Sequence, residues 1–368
     1  MENSINPTIK ESLQSALSSI GQFEECVLLN YPNHLNIGDH LIWLGTIFYL
    51  ADILKTKVSY AASPDNFSQD LMNKQSAEAP ILMQGGGSLG DLWHGRQKFH
   101  EHIISKYQDR QIIILPQTIY FKSQERLNQA VKLLNSHKNL VLFVRDNYSY
   151  ELALKHFNNC QIIKSPDMAF QMQGMPGLSF DKSSHERILF LNREDKELNK
   201  MFASDSIKAS NLVIEDWVSF DKKWKLGKPG SPLMQHVAKF YRDIYQRGVL
   251  TPREWSDRQR WLSYQFQIHN LDKLYNPSMH RLSLSLMHSG IYQFKKYRLI
   301  ITNRLHGHIL CILLGIPHIF LPNSYYKNQG FYETWTHQVP FCRFINDISR
   351  IQEAVEELWS FDVSSKLK

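Results

Sequence analysis

With 368 residues, the chain is too long for one ordinary hydrophobic core, so we expect two domains. A hydrophobic content of 43% and a charged content of 21% are typical of a soluble globular protein, and the polar N-terminal segment predicts no secretory signal. The formal net charge of +7 favours anionic partners, such as phosphorylated metabolites or a membrane surface. The basic residues are scattered rather than clustered, which argues against a nucleic-acid-binding protein.

Neither a membrane span nor a metal centre is predicted. The longest apolar runs, 41–54 and 309–321, are shorter than the roughly 18 residues that cross a membrane. We expect buried free thiols in a cytoplasmic protein, with no metal and no cofactor. No zinc-binding or CxxC spacing relates the four cysteines, which are Cys26, Cys160, Cys311 and Cys342.

Short apolar runs alternate with amphipathic stretches through the N-terminal half of the chain. This alternation is typical of βα units and predicts a parallel sheet whose strands are buried on both faces. Strands are predicted at 26–29, 57–60, 81–84, 111–115, 140–145 and 160–164, and helices at 40–54, 96–107, 124–136 and 148–156.

The C-terminal half begins a second set of elements after a segment at 171–186 that is rich in Gly, Pro and Ser and predicts a linker. The segment 216–277 is rich in Trp, Tyr, Lys and Arg, and we interpret it as an insertion that reaches over a cleft or as a plain surface extension. Strands are predicted at 187–191, 212–214, 299–302 and 316–321, and helices at 282–294, 309–314 and 348–359.

The strongest functional signal is the polar corner between the apolar runs 299–302 and 309–314. Such strand-to-helix corners lie at the carboxyl edge of a parallel sheet, where open α/β folds bind ligands. A helix N-terminus attracts anions, and here Arg304, His306 and His308 crowd against it. The alternative is that Arg304 and His306 only satisfy buried backbone groups.

Two more corners follow predicted strands in the N-terminal half. Asp39, at the position of a helix N-cap, follows Asn36 and would still point into the cleft at the sheet edge. The run Gly85 to Gly87, before Asp91, lets the backbone approach an anion or a sugar, although a tight turn explains it too. The run matches neither GxGxxG nor a P-loop, so a dinucleotide-binding protein and an NTPase are not supported.

Three further corners complete the edge of the first sheet. Gln117 closes one predicted strand, and Arg145 closes the next beside Asp146, with which it could form a simple ion pair. The turn Ser165–Asp167 is the weakest instance. Together, these corners suit an anionic substrate that is held by arginine side chains and glycine backbone groups. A histidine or an aspartate would transfer the proton.

These segments, in this order, resemble the polysaccharide pyruvyl transferase family, and their form is closest to its exopolysaccharide-synthesis branch. The match covers about residues 30–335, and RLHG is its most specific part. The matching segments are NIGDHLIWLG (36–45), ILMQGGGSLGDLW (81–93), ILPQTIYF (114–121), VRDNYSYELA (144–153), SPDMAF (165–170), FLNREDKE (190–197) and TNRLHGHILCILLGIP (302–317).

The resemblance implies an α/β fold of the GT-B-like kind, in which two Rossmann-like domains face a cleft that holds the active site. It also implies the transfer of a pyruvyl group from phosphoenolpyruvate to a sugar, usually as a ketal that bridges two hydroxyls, with release of phosphate. The expected domains are 1–175 and 186–345, the latter with a helical insertion at 216–277, followed by a C-terminal helix and tail at 346–368.

In such enzymes, an arginine of the N-domain and an Arg-Leu-His corner of the C-domain hold the donor. Phosphoenolpyruvate carries a carboxylate and a phosphate, so two guanidinium groups form a sensible clamp. The residues expected to bind the donor are therefore Arg145, Arg304, Leu305, His306, Gly86 and Gly87.

The expected acid is His306, which would protonate the methylene carbon of the donor. Asp39 or Asp91 would accept the proton of the sugar hydroxyl, and the choice between them stays open. The tryptophans of the insertion could stack on sugar rings or belong to the core: Trp217, Trp224, Trp255 and Trp261. Asn36, Gln117 and Trp217 are the expected acceptor residues.

The identity of the acceptor stays open, as does its attachment to a lipid, which would place the protein at the inner face of the membrane. Two rival functions remain. A nucleotide-sugar glycosyltransferase would share the architecture and would need an acidic residue for the ribose, a place that Glu333 could fill. An inactive carbohydrate-binding protein is less favoured, because Arg145 and the RLHGH corner are both present.

Overall fold

The computed structural model describes residues 8–178, 186–202, 211–220 and 252–361. These residues form two separate parallel β-sheets with helices packed against them. The predicted α/β class with parallel sheets is confirmed.

The first sheet has the strand order β2-β1-β3-β5-β6-β7, with β4 paired to β5, and all its pairs are parallel. Ile112 and Ile114 face one hydrophobic cluster and Ile113 faces another, which is why the strand sequences are apolar without alternation. The strands are β1 (Glu25–Leu29), β2 (Lys57–Ala62), β3 (Ile81–Met83), β4 (Gly86–Gly90), β5 (Ile112–Tyr120), β6 (Leu140–Val144) and β7 (Gln161–Lys164).

The second sheet has the order β12-β11-β10-β8-β9 and is also parallel throughout. Its central strand, β10, leads directly into the RLHGH corner. The strands are β8 (Ile188–Leu191), β9 (Leu212–Glu215), β10 (Leu299–Thr302), β11 (His318–Phe320) and β12 (Cys342–Phe344).

Side chains of two predicted corners cap the N-termini of the helices that follow them. Asn36 caps one helix by accepting a hydrogen bond from the Gly38 amide, and Asp146 caps another through the Ser149 amide. The helices are α1 (Ile9–Leu17), α2 (Ile37–Phe48), α3 (Gln69–Gln75), α4 (His94–Lys106), α5 (Gln124–Ser136), α6 (Asn147–His156), α7 (Pro252–Ile268), α8 (Pro277–Phe294), α9 (Leu305–Leu314), α10 (Lys327–Phe331) and α11 (Ile351–Trp359).

The glycine run differs most from its prediction. Gly86–Gly90 is strand β4 rather than a loop, because β5 extends to Tyr120 and pairs β4 with its second half. The pairing of β5 with β6 shifts register between Ile114 and Gln117, and this irregularity accommodates Pro116 inside a central strand.

Two predicted segments lie partly outside the described residues. The linker prediction 171–186 begins inside a buried 3-10 helix, Met168–Met172, and its residues 179–185 are not described. The insertion prediction 216–277 contains α7, and its residues 221–251 are not described.

The cysteines are free, as the sequence predicts. Cys26, Cys311 and Cys342 are buried and Cys160 is half-buried.

One helical stretch of the described chain, Ile37–Leu54, has the length and apolar composition of a membrane-spanning helix. It is longer than the predicted apolar run 41–54 because α2 begins at Ile37 and continues as a π-helix, Tyr49–Leu54. Within the protein, 72% of the stretch is buried, which is the environment of a core helix.

The two sheets meet through α2, which packs against α8 and α9. Polar contacts fix this packing: Trp43 donates to His280 at 3.2 Å, and His40 contacts Ser283 at 2.9 Å. On the other side of the sheet edge, the indole of Trp335 donates to the carbonyl of Arg145 at 3.0 Å. The polar corners of both sheets are therefore held near one another.

Candidate active site

The carboxyl-edge corners of both sheets line one cavity of about 360 Å³. Cavities of this kind, with convergent polar groups, are the usual form of a small-molecule site. Nine of the eleven predicted site residues line the cavity: Asn36, Asp39, Gly86, Gly87, Arg145, Trp217, Arg304, Leu305 and His306.

Arg145, Asp167 and His306 form a buried cluster at the cavity wall. The guanidinium of Arg145 is ion-paired with Asp167 and donates to the Thr118 hydroxyl at 3.1 Å. His306 Nε2 lies 3.5 Å from the same Asp167 carboxylate. Burial alone would raise the pKa of Asp167, but Arg145 and His306 outweigh it and lower that pKa to about 2. Asp167 is therefore ionised at neutral pH, and its carboxylate lies between Arg145 and His306, two residues predicted to bind the pyruvyl donor.

His306 also packs tightly against the corner that contains Asp39. A Cβ added at Gly38 would lie 2.6 Å from Nδ1 of His306, so only glycine leaves the imidazole in this place. Glycine at position 38 therefore sets the position of the predicted acid.

Asp39 lies in the first turn of α2, with about a third of its side chain exposed. Its carboxylate is 3.2 Å from His34 Nε2 and accepts a hydrogen bond from Asn36 at 3.1 Å. Although burial works in the opposite direction, His34 together with the charges of His306 and Arg96 holds the pKa of Asp39 well below its usual range. A carboxylate that is ionised and partly exposed thus faces the cavity beside His306.

Arg304 lies on the second-sheet side of the cavity and precedes α9. Its Nε and NH2 groups contact the Asp216 carboxylate at 2.5 and 2.6 Å, which is a bidentate arrangement. No side chain of the described residues caps the N-terminus of α9. The positive end of the helix dipole therefore adds to the charge of Arg304 at the cavity.

A second cluster of charges, from the FLNREDKE segment and α10, completes the lining. Arg193 holds Asp195 at 2.9 Å and Glu197 at 2.9 Å, and Glu197 is also ion-paired with Lys327. Burial would raise the pKa of Glu197, but Lys327 and Arg193 lower it to about 2. Burial lowers the pKa of Lys327 to about 8 in spite of its contact with Glu197.

Two predicted site residues do not line the cavity. The Asp91 carboxylate accepts hydrogen bonds from the backbone amides of Lys122 at 2.9 Å and Ser123 at 2.7 Å, so it anchors the turn before α5. Gln117 is fully buried and accepts from the Ser88 amide at 3.2 Å, so it supports β4 from behind.

The predicted tryptophans have mixed places. Trp217 reaches the cavity but is only 2% exposed and stacks on Phe294 with ring centroids 5.5 Å apart. Trp261 packs against His288, Trp255 is exposed, and Trp224 lies outside the described residues. Trp93, which was not predicted, lines the cavity and carries Lys196 over its ring at 4.2 Å.

Several residues of the cavity were missed or given too little weight. In the sequence, Asp167 belongs to the weakest of the predicted corners. Arg193 and Glu197 stand out only as members of FLNREDKE, one of the segments that resemble the transferase family. Two further lining residues, Arg96 and Lys327, carried no signal of their own, because an isolated Arg or Lys in a helix is usually a solvated surface residue.

One group of possible metal ligands lies outside the cavity. His308, His318 and Cys342 are fully buried with their ligand atoms within 4.8 Å of one another. His308 contacts His318 at 2.7 Å and Thr336 at 2.9 Å, and His318 donates to the Ile316 carbonyl at 2.9 Å. One tautomer of each ring satisfies this chain of hydrogen bonds, so the group is explained as a buried hydrogen-bond network that stabilises the core.

Glu333, which could hold the ribose in the glycosyltransferase alternative, does not line the cavity. Its carboxylate accepts hydrogen bonds from Gln329 at 2.8 Å and from Tyr148 at 3.3 Å on the outer side of α10. The contacts of Glu333 therefore give the glycosyltransferase alternative no support.

Comparison with known proteins gives a consistent result. The chain is 29% identical over 350 residues to EpsO of Bacillus subtilis, which bears a provisional name as a pyruvyl transferase, and the alignment covers 93% of this chain and 95% of EpsO. It is 25% identical over 329 residues to pyruvyl transferase 1 of Schizosaccharomyces pombe, covering 85% of this chain and 70% of that protein. A crystal structure of a protein from Klebsiella pneumoniae shares the fold, with a TM-score of 0.55 and 20% identity over 94% of this chain and all of the other.

The match to a protein family covers residues 36–325, from the cap of α2 to the segment before α10. This range includes nearly all of the cavity lining described above. The chain belongs to the polysaccharide pyruvyl transferase family.

Proposed function

We propose that the protein transfers the pyruvyl group of phosphoenolpyruvate to two hydroxyls of a sugar in a cell-surface polysaccharide, forming a ketal and releasing phosphate. The observation that carries this proposal is the buried Arg145–Asp167–His306 cluster, whose Arg145 and His306 line the same cavity as Arg304. A small donor that carries a carboxylate and a phosphoryl dianion fits a cavity of about 360 Å³ that is lined by cations from both sheets.

One arginine from each sheet would hold the donor. Arg145 is fixed by Asp167 and Thr118, and Arg304 is fixed by Asp216, so neither guanidinium needs to be ordered when the donor binds. Hydrogen-bonding groups that are already held in position, as these guanidinium groups are, can stabilise the charge of a ligand without reorganising. The open N-terminus of α9 adds backbone N–H groups on the Arg304 side.

His306 would act as the general acid. As the oxygen of the first sugar hydroxyl bonds to the central carbon of the donor, the methylene carbon takes a proton from His306 and becomes a methyl group. The second hydroxyl then displaces phosphate from the same carbon, its proton leaves with the phosphate, and the ketal closes. Asp167, whose carboxylate lies 3.5 Å from Nε2 of His306, helps to position the imidazole.

Asp39 would accept the proton of the attacking hydroxyl. It lies in the cavity near His306, whereas Asp91 is occupied by backbone amides elsewhere, so geometry favours Asp39 as the base. The contacts that keep Asp39 ionised also make it a weaker base. We therefore expect it to accept the proton of the sugar hydroxyl while the C–O bond forms, when that proton becomes more acidic.

The acceptor would enter on the side of Asn36, Asp39 and Trp93. Trp93 is partly exposed, whereas Trp217 is covered by Phe294, so Trp93 is the better candidate for stacking on a sugar ring. We place the two sheets in the two domains 1–175 and 186–345 of a GT-B-like arrangement. With a lipid-linked acceptor, the basic protein would work at the cytoplasmic face of the membrane.

The test is the fate of solvent deuterium. Purified protein is incubated in D₂O with phosphoenolpyruvate and a glycan acceptor fraction, and the pyruvyl methyl group of the product is analysed by mass spectrometry. We expect one deuterium in each methyl group and loss of nearly all turnover in His306→Ala. Unchanged turnover in a folded His306→Ala variant would remove His306 from the mechanism.

A further inference from the structure

We infer that Gly87, Arg145 and Lys327 form a subsite for the phosphoryl group of the donor, separate from a carboxylate subsite at Arg304. The inference rests on the proposed function and deepens it, since it assigns an orientation to the donor. In this orientation, Lys327 binds the phosphate group that leaves during pyruvyl transfer.

The geometry of the subsite centres on Gly87. A Cβ built on Gly87 would lie 3.4 Å from NH2 of Arg145, 3.5 Å from Cδ of Lys327 and 3.6 Å from the hydroxyl of Tyr325. Because Gly87 has no side chain, the two cations share one small space beside the backbone of β4. All three residues that carry the inference line the cavity.

Both cations are held in place from behind. Asp167 anchors Arg145, and Glu197 anchors Lys327 while it is itself bound to Arg193 and to the indole of Trp93 at 3.1 Å. A phosphoryl dianion needs more cationic contact than a carboxylate, and this end of the cavity offers two adjacent cations. Arg304, which is paired with Asp216 at the uncapped N-terminus of α9, suits the single charge of a carboxylate.

The environment of Lys327 predicts how the subsite responds to pH. Burial, Arg193 and Arg145 lower its pKa to about 8, while Glu197 opposes them, and the Tyr325 ring lies 5.5 Å from its ammonium group. In the free protein, Lys327 is therefore mostly charged below pH 8 and mostly neutral above it. Affinity for a phosphorylated ligand should fall as the pH rises through about 8.

The experiment compares three probes by calorimetric titration: phosphoenolpyruvate, inorganic phosphate and pyruvate, which has the carboxylate only. For Lys327→Met, we expect a loss of at least 10-fold in affinity for phosphoenolpyruvate and phosphate, with affinity for pyruvate within 3-fold of the wild-type protein. For Lys327→Arg, which stays charged, we expect the fall in affinity above pH 8 to disappear. Lys155→Met, on the exposed last turn of α6, is the charge-matched control and should behave like the wild-type protein.

Gly87→Ala tests the space itself. The added methyl group makes only ordinary contacts within the protein, so the variant should fold, but it fills the gap between the two cations and should also weaken phosphate binding at least 10-fold. This variant carries the test even where Lys327→Met lowers the stability of the fold.

The outcomes separate the inference from the proposed function. Wild-type protein that binds phosphoenolpyruvate, with unchanged phosphate affinity in both Lys327→Met and Gly87→Ala, would overturn the phosphoryl subsite and leave the function standing. A uniform loss for all three probes in Lys327→Met, with unchanged phosphate affinity in Gly87→Ala, would also overturn it. Wild-type protein that binds none of the probes would overturn both.

Discussion

Replacing Asp167 by asparagine should destabilise the protein, because it removes the buried anion between Arg145 and His306. Folding lowers the pKa of Asp167 to about 2, which corresponds to a stabilisation of about 2–3 kcal/mol at roughly 1.4 kcal/mol per pH unit. The asparagine side chain still offers an oxygen to the Ala169 amide, which lies 2.9 Å from the Asp167 carboxylate, so the lost term is mainly electrostatic. We expect Asp167→Asn to lower the free energy of unfolding at pH 7 by about 2–3 kcal/mol.

The pH dependence of this difference has a definite sign. A carboxyl group with a lowered pKa stabilises the folded state above its unfolded pKa of about 3.9, and this stabilisation is lost as the pH falls towards about 2. The difference between the wild-type protein and Asp167→Asn should therefore be complete at pH 7 and shrink to roughly half at pH 3.

Urea unfolding followed by tryptophan fluorescence measures this difference at both pH values. Asp257→Asn is the control, because Asp257 is exposed and pairs with the exposed Arg260, so its loss should cost less than about 0.5 kcal/mol. A variant Asp167→Asn as stable as the wild-type protein at pH 7, or a difference that does not change with pH, would refute the role of Asp167 as a buried counter-ion.

Three further predictions concern activity. Gly38→Ala should lose at least about 100-fold in turnover while the protein stays folded, because the methyl group displaces His306; Gly95→Ala, which has open space around it, should stay active, and equal activity of the two variants would contradict the packing. Arg304→Lys should weaken the affinity for phosphoenolpyruvate at least about 10-fold in calorimetric titration, since an ammonium group can neither keep the bidentate contact with Asp216 nor present a further guanidinium N–H to the donor; near-normal affinity would refute the clamp. Asp39→Asn should lose about 10²–10⁴-fold in turnover, whereas Asp91→Asn should keep turnover and lose roughly 1 kcal/mol of stability; the reverse pattern would make Asp91 the base.

Much of the fold was predictable, because buried parallel strands and amphipathic helices leave strong periodic patterns. Helix α5 has the predicted bounds, and most predicted strands agree to within one or two residues. The polar corners were also found, since the carboxyl ends of parallel strands meet at one sheet edge. The first sheet and the RLHGH corner therefore followed from local sequence alone.

The partners of the site residues could not be predicted in the same way. Glu197 and Lys327 are 130 residues apart, and nothing in either local sequence indicates that they pair. Asp167 lies in a short turn whose strand, β7, has no buried residues, so its strong electrostatic role was hidden. Asp91 occupies a corner position like that of Asp39, but the direction of a carboxylate depends on the loop around it.

The central claim is that the cavity binds phosphoenolpyruvate, and thermal stabilisation of the purified protein tests it most directly. A ligand at about 100 times its dissociation constant adds roughly 2.7 kcal/mol to the free energy of unfolding, which is readily measured. We predict stabilisation by phosphoenolpyruvate that disappears in Arg304→Ala, and none by a panel of nucleotide sugars. Stabilisation by a nucleotide sugar without any effect of phosphoenolpyruvate would contradict the proposed function and favour a glycosyltransferase.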